Sequence, residues 1–365
     1  MYIFNSYEDT RKLPQSLLEQ LEKKETVFQV ETCLEKAIEY DVDLVRDEFG
    51  NTLFTICEHI EHAGVHSGDS GMISPPVKLT ESMLKKMESI SIQLAEALNI
   101  IGPINFQYAV KNNEEIYCIE ANPRGSRTLP FLSKANNISL PGIATDAMLG
   151  ESIEGQKKKE DPPFCVKQST FPFDRFLQDK TILGPKMRST GETFGMDIDK
   201  EQSILKSYLG NYPNLLGPGK LLISLADKNK TVILPYIKTL HQMGYRFMGT
   251  QGTYQFIKKQ GLPCEKVTKI ADDSGLSILE ALKDSKLKMV LNTPMNPKSS
   301  KSDGEEIRNT AIAYGIPCFT RPENIIAIIE SLIGSNGSEL IPISLQEKFS
   351  MSSTNNNQIT EGISQ

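Results

Sequence analysis

Apolar positions change rhythm partway along the chain. From Gly219 onward, short apolar runs alternate with segments of helical period. The pattern predicts strand 220–225 before helix 229–243, strand 244–248 before helix 252–260 and strand 264–269 before helix 275–283. It continues with strand 287–292 before helix 304–314, and strand 316–319 before helix 322–333. Strands separated by helices imply a parallel sheet covered on both faces, so residues 217–334 are expected to be a doubly wound α/β domain.

Residues 1–150 mix α and β signals. Helices are expected at 79–98, capped by Thr80, and at 142–149; strands are expected at 52–58, 103–111 and 115–121. The charged, proline-containing stretch 151–165 and the β-rich stretch 166–195 place a linker and connecting segment at 151–216. After Ile333 the composition turns to Ser, Asn, Gly and Gln, so 335–365 is expected to be a disordered tail.

Composition narrows the function classes. The 365 residues carry 40 Lys+Arg against 46 Asp+Glu, a net charge of −6. Non-specific nucleic-acid binding needs a basic surface and is not expected. No apolar run is long enough to cross a bilayer. The 6 cysteines form no CxxC pair and suit a reduced, cytoplasmic protein.

Candidate chemistry begins in INFQYAV (104–110) and IYCIEAN (116–122), joined around Asn112-Asn113-Glu114. Side chains alternate faces along a strand. A hairpin loop of even length puts Gln107 across from Glu120, leaving one face apolar and gathering Gln107, Glu120 and Asn122 on the other. Oxygen donors so grouped suit magnesium, which takes one or two carboxylates and fills its other positions with water and phosphate. The same pattern is also that of a half-exposed hairpin with a solvated face. Arg124 and Arg127 follow at once and would clamp phosphoryl oxygens. His59, His62 and His66 would share a face on a helix and suggest zinc, but Gly64, Gly68 and Gly71 break any helix there. His59 and His62 are therefore expected to be structural, at the end of a strand.

Three strings, EHIEHAGVHSGDS, GPINFQYAVKNNEEIYCIEANPRGSRTLPFLSKA and LGPKMRSTGETFG, closely resemble the carboxy-terminal synthetase unit of carbamoyl-phosphate synthetase large subunits. The resemblance runs from near Met1 to about Phe349. It implies a partial ATP-grasp domain over 1–150 that phosphorylates carbamate with ATP and Mg2+ (or Mn2+), serving pyrimidine and arginine biosynthesis. It implies Gln107, Glu120 and Asn122 as metal ligands. Gly64, Val65, His66 and Ser67 would line the nucleotide site, with Leu34 and Glu39 near adenine and ribose. Arg124 and Arg127 would stabilise phosphate charge.

Residues 217–334 resemble the methylglyoxal-synthase-like domain that ends those subunits and binds regulators. Ligands of open α/β sheets sit beyond the carboxyl ends of the strands, where helix N-termini attract phosphate. Thr250-Gln251-Gly252-Thr253 and Asn292-Thr293 fall at such ends. The resemblance makes Lys230, Thr250, Thr253, Lys269, Asn292 and Thr293 candidate contacts for a nucleotide or other small effector, with Lys298, Lys301 and Arg308 adding charge. GTQGTYQF lacks the doubled threonine and nearby Asp of a free-standing methylglyoxal synthase, so binding without lyase chemistry is expected.

Two positions depart from the family: Thr32 replaces a ring-bearing residue near adenine, and Lys186 replaces a usual Glu. The implied partners are an upstream half of the large subunit and a glutamine-hydrolysing small subunit. Without that upstream half, the chain alone is expected to have little synthetase activity. The alternative is a nucleotide-sensing regulatory module without catalysis.

Overall fold

The computed structural model describes residues 15–23, 32–34, 36–158, 162–172, 182–268, 277–284, 286–294, 303–335, 340 and 344–347. After helix α1 (Gln15–Glu22), the alternating stretch IEYDVDLVR forms β1 (Ile38–Arg46) and buries Tyr40, Val42 and Leu44. β2 (Thr52–His62), β3 (Met72–Ser74), α2 (Glu81–Ala97), β4 (Gly102–Lys111) and β5 (Glu115–Asn122) follow. As expected, Thr80 caps α2, its side chain accepting from the Met83 N–H. Then come α3 (Thr128–Ala135), α4 (Leu140–Met148), β6 (Phe164–Thr170), β7 (Gly191–Asp197) and α5 (Lys200–Asn211).

The seven strands form one antiparallel sheet in the order β5-β4-β1-β2-β3-β6-β7. Met83, Met87 and Ala95 of α2 pack on Tyr40, Val42, Phe106 and Tyr108. A second core sets Leu129 and Leu132 of α3 and Ile143 of α4 with Val45, Leu53 and Cys57. The sheet is therefore covered by helices on both faces at one end, and its polar row lies beside α3.

The carboxy-terminal region alternates β8 (Lys220–Ser224), α6 (Asp227–Gln242), β9 (Arg246–Thr250), α7 (Gln251–Lys259) and β10 (Glu265–Val267). It continues with α8 (Ile278–Leu282), β11 (Leu287–Asn292), α9 (Asp303–Ala313), β12 (Cys318–Phe319) and α10 (Pro322–Gly334). The parallel order β10-β9-β8-β11-β12 is doubly wound, as the alternation predicted, and its direction reverses between β8 and β11. A third core joins the two sheets: Ile60, Ile73 and Val166 meet Leu205 and Tyr208 of α5 and Ile325 and Ile328 of α10.

Two segments behave differently from expectation. The 151–216 segment is not a separate connection, because β6 and β7 extend the antiparallel sheet. Within it, buried Ile153 donates its N–H to Asp47. Of the expected disordered tail, Leu340 and Leu345 are described and pack against the cores, where their apolar side chains offset the cost of ordering. Most of the rest of 335–365 lies outside the described residues.

Candidate functional site

The site is built on three adjacent strands. Across β5, β4 and β1, Glu120 faces Gln107, which faces Asp41; one step along, Asn122 faces Asn105, which faces Asp43. Gln107 thus stands opposite Glu120, but by a different route from the one expected. Lys111 pairs with Glu115, so the loop holds an odd number of residues, and Asn112 and Asn113 take φ of 54° and 58°. An odd loop should scramble the faces. The ladder instead steps from Tyr108–Cys118 to Gln107–Glu120, leaving Ile119 as a bulge that restores the register. Cys118 is thereby paired with Tyr108, and its Sγ donates to the Glu120 carbonyl at 3.8 Å.

Apart from Asp43, which is buried beneath, these residues line a cleft of about 670 Å³. Its walls include Glu39, Gly64, Val65, His66, Ser67, Gln107, Glu120, Asn122, Arg124 and Arg127, which the sequence singles out, and also Asp41, Asn105, Ser126, Thr128 and Lys167, which it does not. Leu34 is half-buried and is not among the lining residues. Thr32 and Lys186 are exposed. The missed acids were legible in principle: in EYDVDL the acids alternate with Tyr40, Val42 and Leu44, the period of a strand with one polar face.

The loop after β2 turns at Gly64, whose φ of +106° suits glycine. His66 Nδ1 accepts from the Gly68 N–H at 3.0 Å, and the His66 N–H reaches Gly184 O at 2.8 Å. A Cβ on Gly68 would lie 3.0 Å from Arg127 Nη1, so the arginine closes against this loop. Lys167 is 1% exposed; its ammonium lies 3.3 Å from Glu192 and 3.5 Å from Ser67 O.

His59 and His62 end β2, as expected, though His59 is more than filler. Its Nε2 lies 3.0 Å from Asp41 and its Nδ1 3.3 Å from Glu39, an ion-pair contact. Burial works against its charge, but the two carboxylates prevail and raise its pKa to about 9. Asp43 is pushed up to about 6, chiefly by burial, against the hydroxyls of Thr128 and Ser126 that favour its ionised form. At neutral pH His59 is therefore a cation buried behind the acidic row.

The donor set fits a hard cation: one carboxylate, Glu120, with amide oxygens from Gln107 and Asn122. Asn122 Nδ2 donates to Glu120 at 2.9 Å, which uses the amide nitrogen; a cation takes the oxygen. Among the described residues no three His, Cys, Asp or Glu gather as a group that could hold a metal ion.

In the parallel sheet, Ser224, Thr250, Thr253, Asn292 and Thr293 collect at the carboxyl ends. Thr253 Oγ1 accepts from the Leu225 N–H and Thr293 Oγ1 from the Ala226 N–H, while Arg308 donates to Asn292 Oδ1. The Lys230 ammonium bonds Asp227 and Gly252 O. These partners fix the switch-point geometry between β8 and β11. Lys269, Lys298 and Lys301 lie outside the described residues. No described helix is long and apolar enough to cross a membrane.

Comparison with known proteins gives two domain matches: "Carbamoyl-phosphate synthase L chain, ATP binding domain" over residues 4–154 and "MGS-like domain" over 232–320. A "Carbamoyl phosphate synthase large chain, C-terminal section" from Methanocaldococcus jannaschii is 37% identical, covering 87% of this chain and 53% of that protein. A "Carbamoyl phosphate synthase large chain" from Mycobacterium sp. (strain JLS) is 35% identical over 88% of this chain and 31% of its own length. The chain thus spans about half or less of these relatives. A solved N5-carboxyaminoimidazole ribonucleotide synthetase from Thermotoga maritima overlaps at 17% identity, over 52% of this chain and 55% of that one, with a TM-score of 0.39.

Proposed function

The chain belongs with the carboxy-terminal part of the carbamoyl phosphate synthase large chains, and from that premise we propose that its cleft takes part in ATP-dependent phosphorylation of carbamate to carbamoyl phosphate. The observation that carries this reading is the register that brings Gln107, Glu120 and Asn122 together, facing the loop of Gly64–Ser67 and flanked by Arg124 and Arg127. Magnesium or manganese held by the three donors would offset charge on the nucleotide phosphates. Val65, His66 and Ser67 would hold the nucleotide, with Glu39 at the ribose and Leu34 toward the adenine. The arginines would bind the phosphoryl group in transfer.

The larger context is part of the same proposal. An upstream half of the large subunit and a glutamine-hydrolysing small subunit would supply carbamate for pyrimidine and arginine biosynthesis. The setting would be the cytoplasm, in keeping with six cysteines that are all free. The MGS-like domain would bind an effector at Lys230, Thr250, Thr253, Asn292 and Thr293, with Lys269 alongside.

A competition experiment tests the reaction class. Carbamoyl phosphate and the terminal phosphate of ATP would occupy one place. Carbamoyl phosphate should therefore bind the chain saturated with Mg·ADP and be excluded by a non-hydrolysable Mg·ATP analogue. Equal binding in both cases would remove carbamate phosphorylation from this cleft.

A further inference from the structure

Arg124 and Arg127 are exposed, on a turn that needs an anchor if their guanidiniums are to meet a phosphate in fixed places. That anchor comes from 83 and 85 residues away along the chain: Ser126 Oγ donates to Asp43 Oδ2 at 2.7 Å, and Thr128 Oγ1 donates to the same oxygen at 2.6 Å. Ser126 Oγ in turn accepts the N–H groups of Thr128 and Leu129 at 3.0 and 3.1 Å, tying the first turn of α3 to the same post. Asp43 is 2% exposed in the middle of β1, and Asn105 Nδ2 approaches its other oxygen at 3.4 Å. Arg127 is bracketed by the two tied residues, and its guanidinium lies against the Gly68 loop.

We infer that Asp43 is a positioning residue for phosphoryl transfer, holding the Arg124–Thr128 turn so that Arg127 reaches the terminal phosphate of the bound nucleotide. A hydrophobic core holds β1 and a hydrogen-bond fork holds the turn, so a buried carboxylate with two hydroxyl donors couples a rigid strand to an exposed loop. Such a link fixes the direction of a side chain. The inference rests on the nucleotide reading of the cleft.

A double-mutant cycle on the full chain tests it, with binding of Mg·ADP and of a non-hydrolysable Mg·ATP analogue measured by calorimetry. Asp43→Ala should weaken the triphosphate by about tenfold and leave Mg·ADP within about twofold. In an Arg127→Ala background, Asp43→Ala should cost clearly less than in the wild type, only what Arg124 loses on the same turn. Thr128→Val, which keeps the shape and removes one donor from the fork, should reproduce the effect should Asp43→Ala fail to fold. Additive losses in the two backgrounds, equal losses for both nucleotides, or no loss would overturn the inference and leave the nucleotide reading intact. Failure of the wild-type chain to bind either nucleotide with magnesium would remove both.

Discussion

His59 shows how far a single residue departs from what its neighbours in sequence suggest. In sequence it is expected only to be structural, at the end of a strand; in the fold it is 2% exposed and held between Asp41 and Glu39. Its folded pKa, about 9, lies above the ordinary 6.5. The stability it contributes is therefore fully present below about pH 6.5 and is lost as pH rises through 9, by at most roughly 3 kcal/mol. Urea melts should show the wild type weakening across that window and His59→Phe nearly flat. A flat wild-type profile would contradict the ion-pair assignment. The ligand candidates Gln107, Glu120 and Asn122 were legible because strand parity is a local property. Asp41, Asp43 and Lys167 were not singled out: alternation with apolar residues marks a polar strand position, but its burial comes from partners on other elements, His59 for Asp41, Ser126 and Thr128 for Asp43 and Glu192 for Lys167.

At the scale of elements, α2 and the parallel strands were legible because apolar periodicity, the Thr80 cap and the strand–helix alternation all agree. The hairpin carried a subtler lesson. Its register was recoverable, but the route to it was not: an odd loop and a bulge at Ile119 cancel, and no residue pattern announces a bulge. Packing of β7 on α5 was equally hidden, since it depends on a glycine. A Cβ on Gly195 would stand 2.1 Å from Ser203 O and 2.5 Å from Ser207 N, both backbone atoms. Gly195→Ala should force α5 off the sheet and cost about 2–3 kcal/mol, read as a lower urea midpoint. An unchanged midpoint would mean that α5 moves aside freely.

Across the whole molecule, two sheets that the sequence separates by a linker share one core. Asn324 of α10 donates to Glu61 at 2.8 Å, and His62 meets Glu323 at 2.6 Å, tying the parallel-sheet region to the end of β2. Glu61 also accepts the Gly71 N–H at 2.9 Å, just past the loop that lines the cleft. Unfolding in urea should therefore be one cooperative transition by both near-ultraviolet and far-ultraviolet signals; two separated transitions would show that the sheets are independent units. Everything proposed for the cleft, however, depends on a cation at the hairpin. The direct measurement is nucleotide affinity titrated against magnesium, in the wild-type chain and in Glu120→Gln. The account predicts that magnesium tightens ATP binding in the wild type and that Glu120→Gln loses this enhancement by at least about tenfold. Identical magnesium dependence in the two proteins would contradict it.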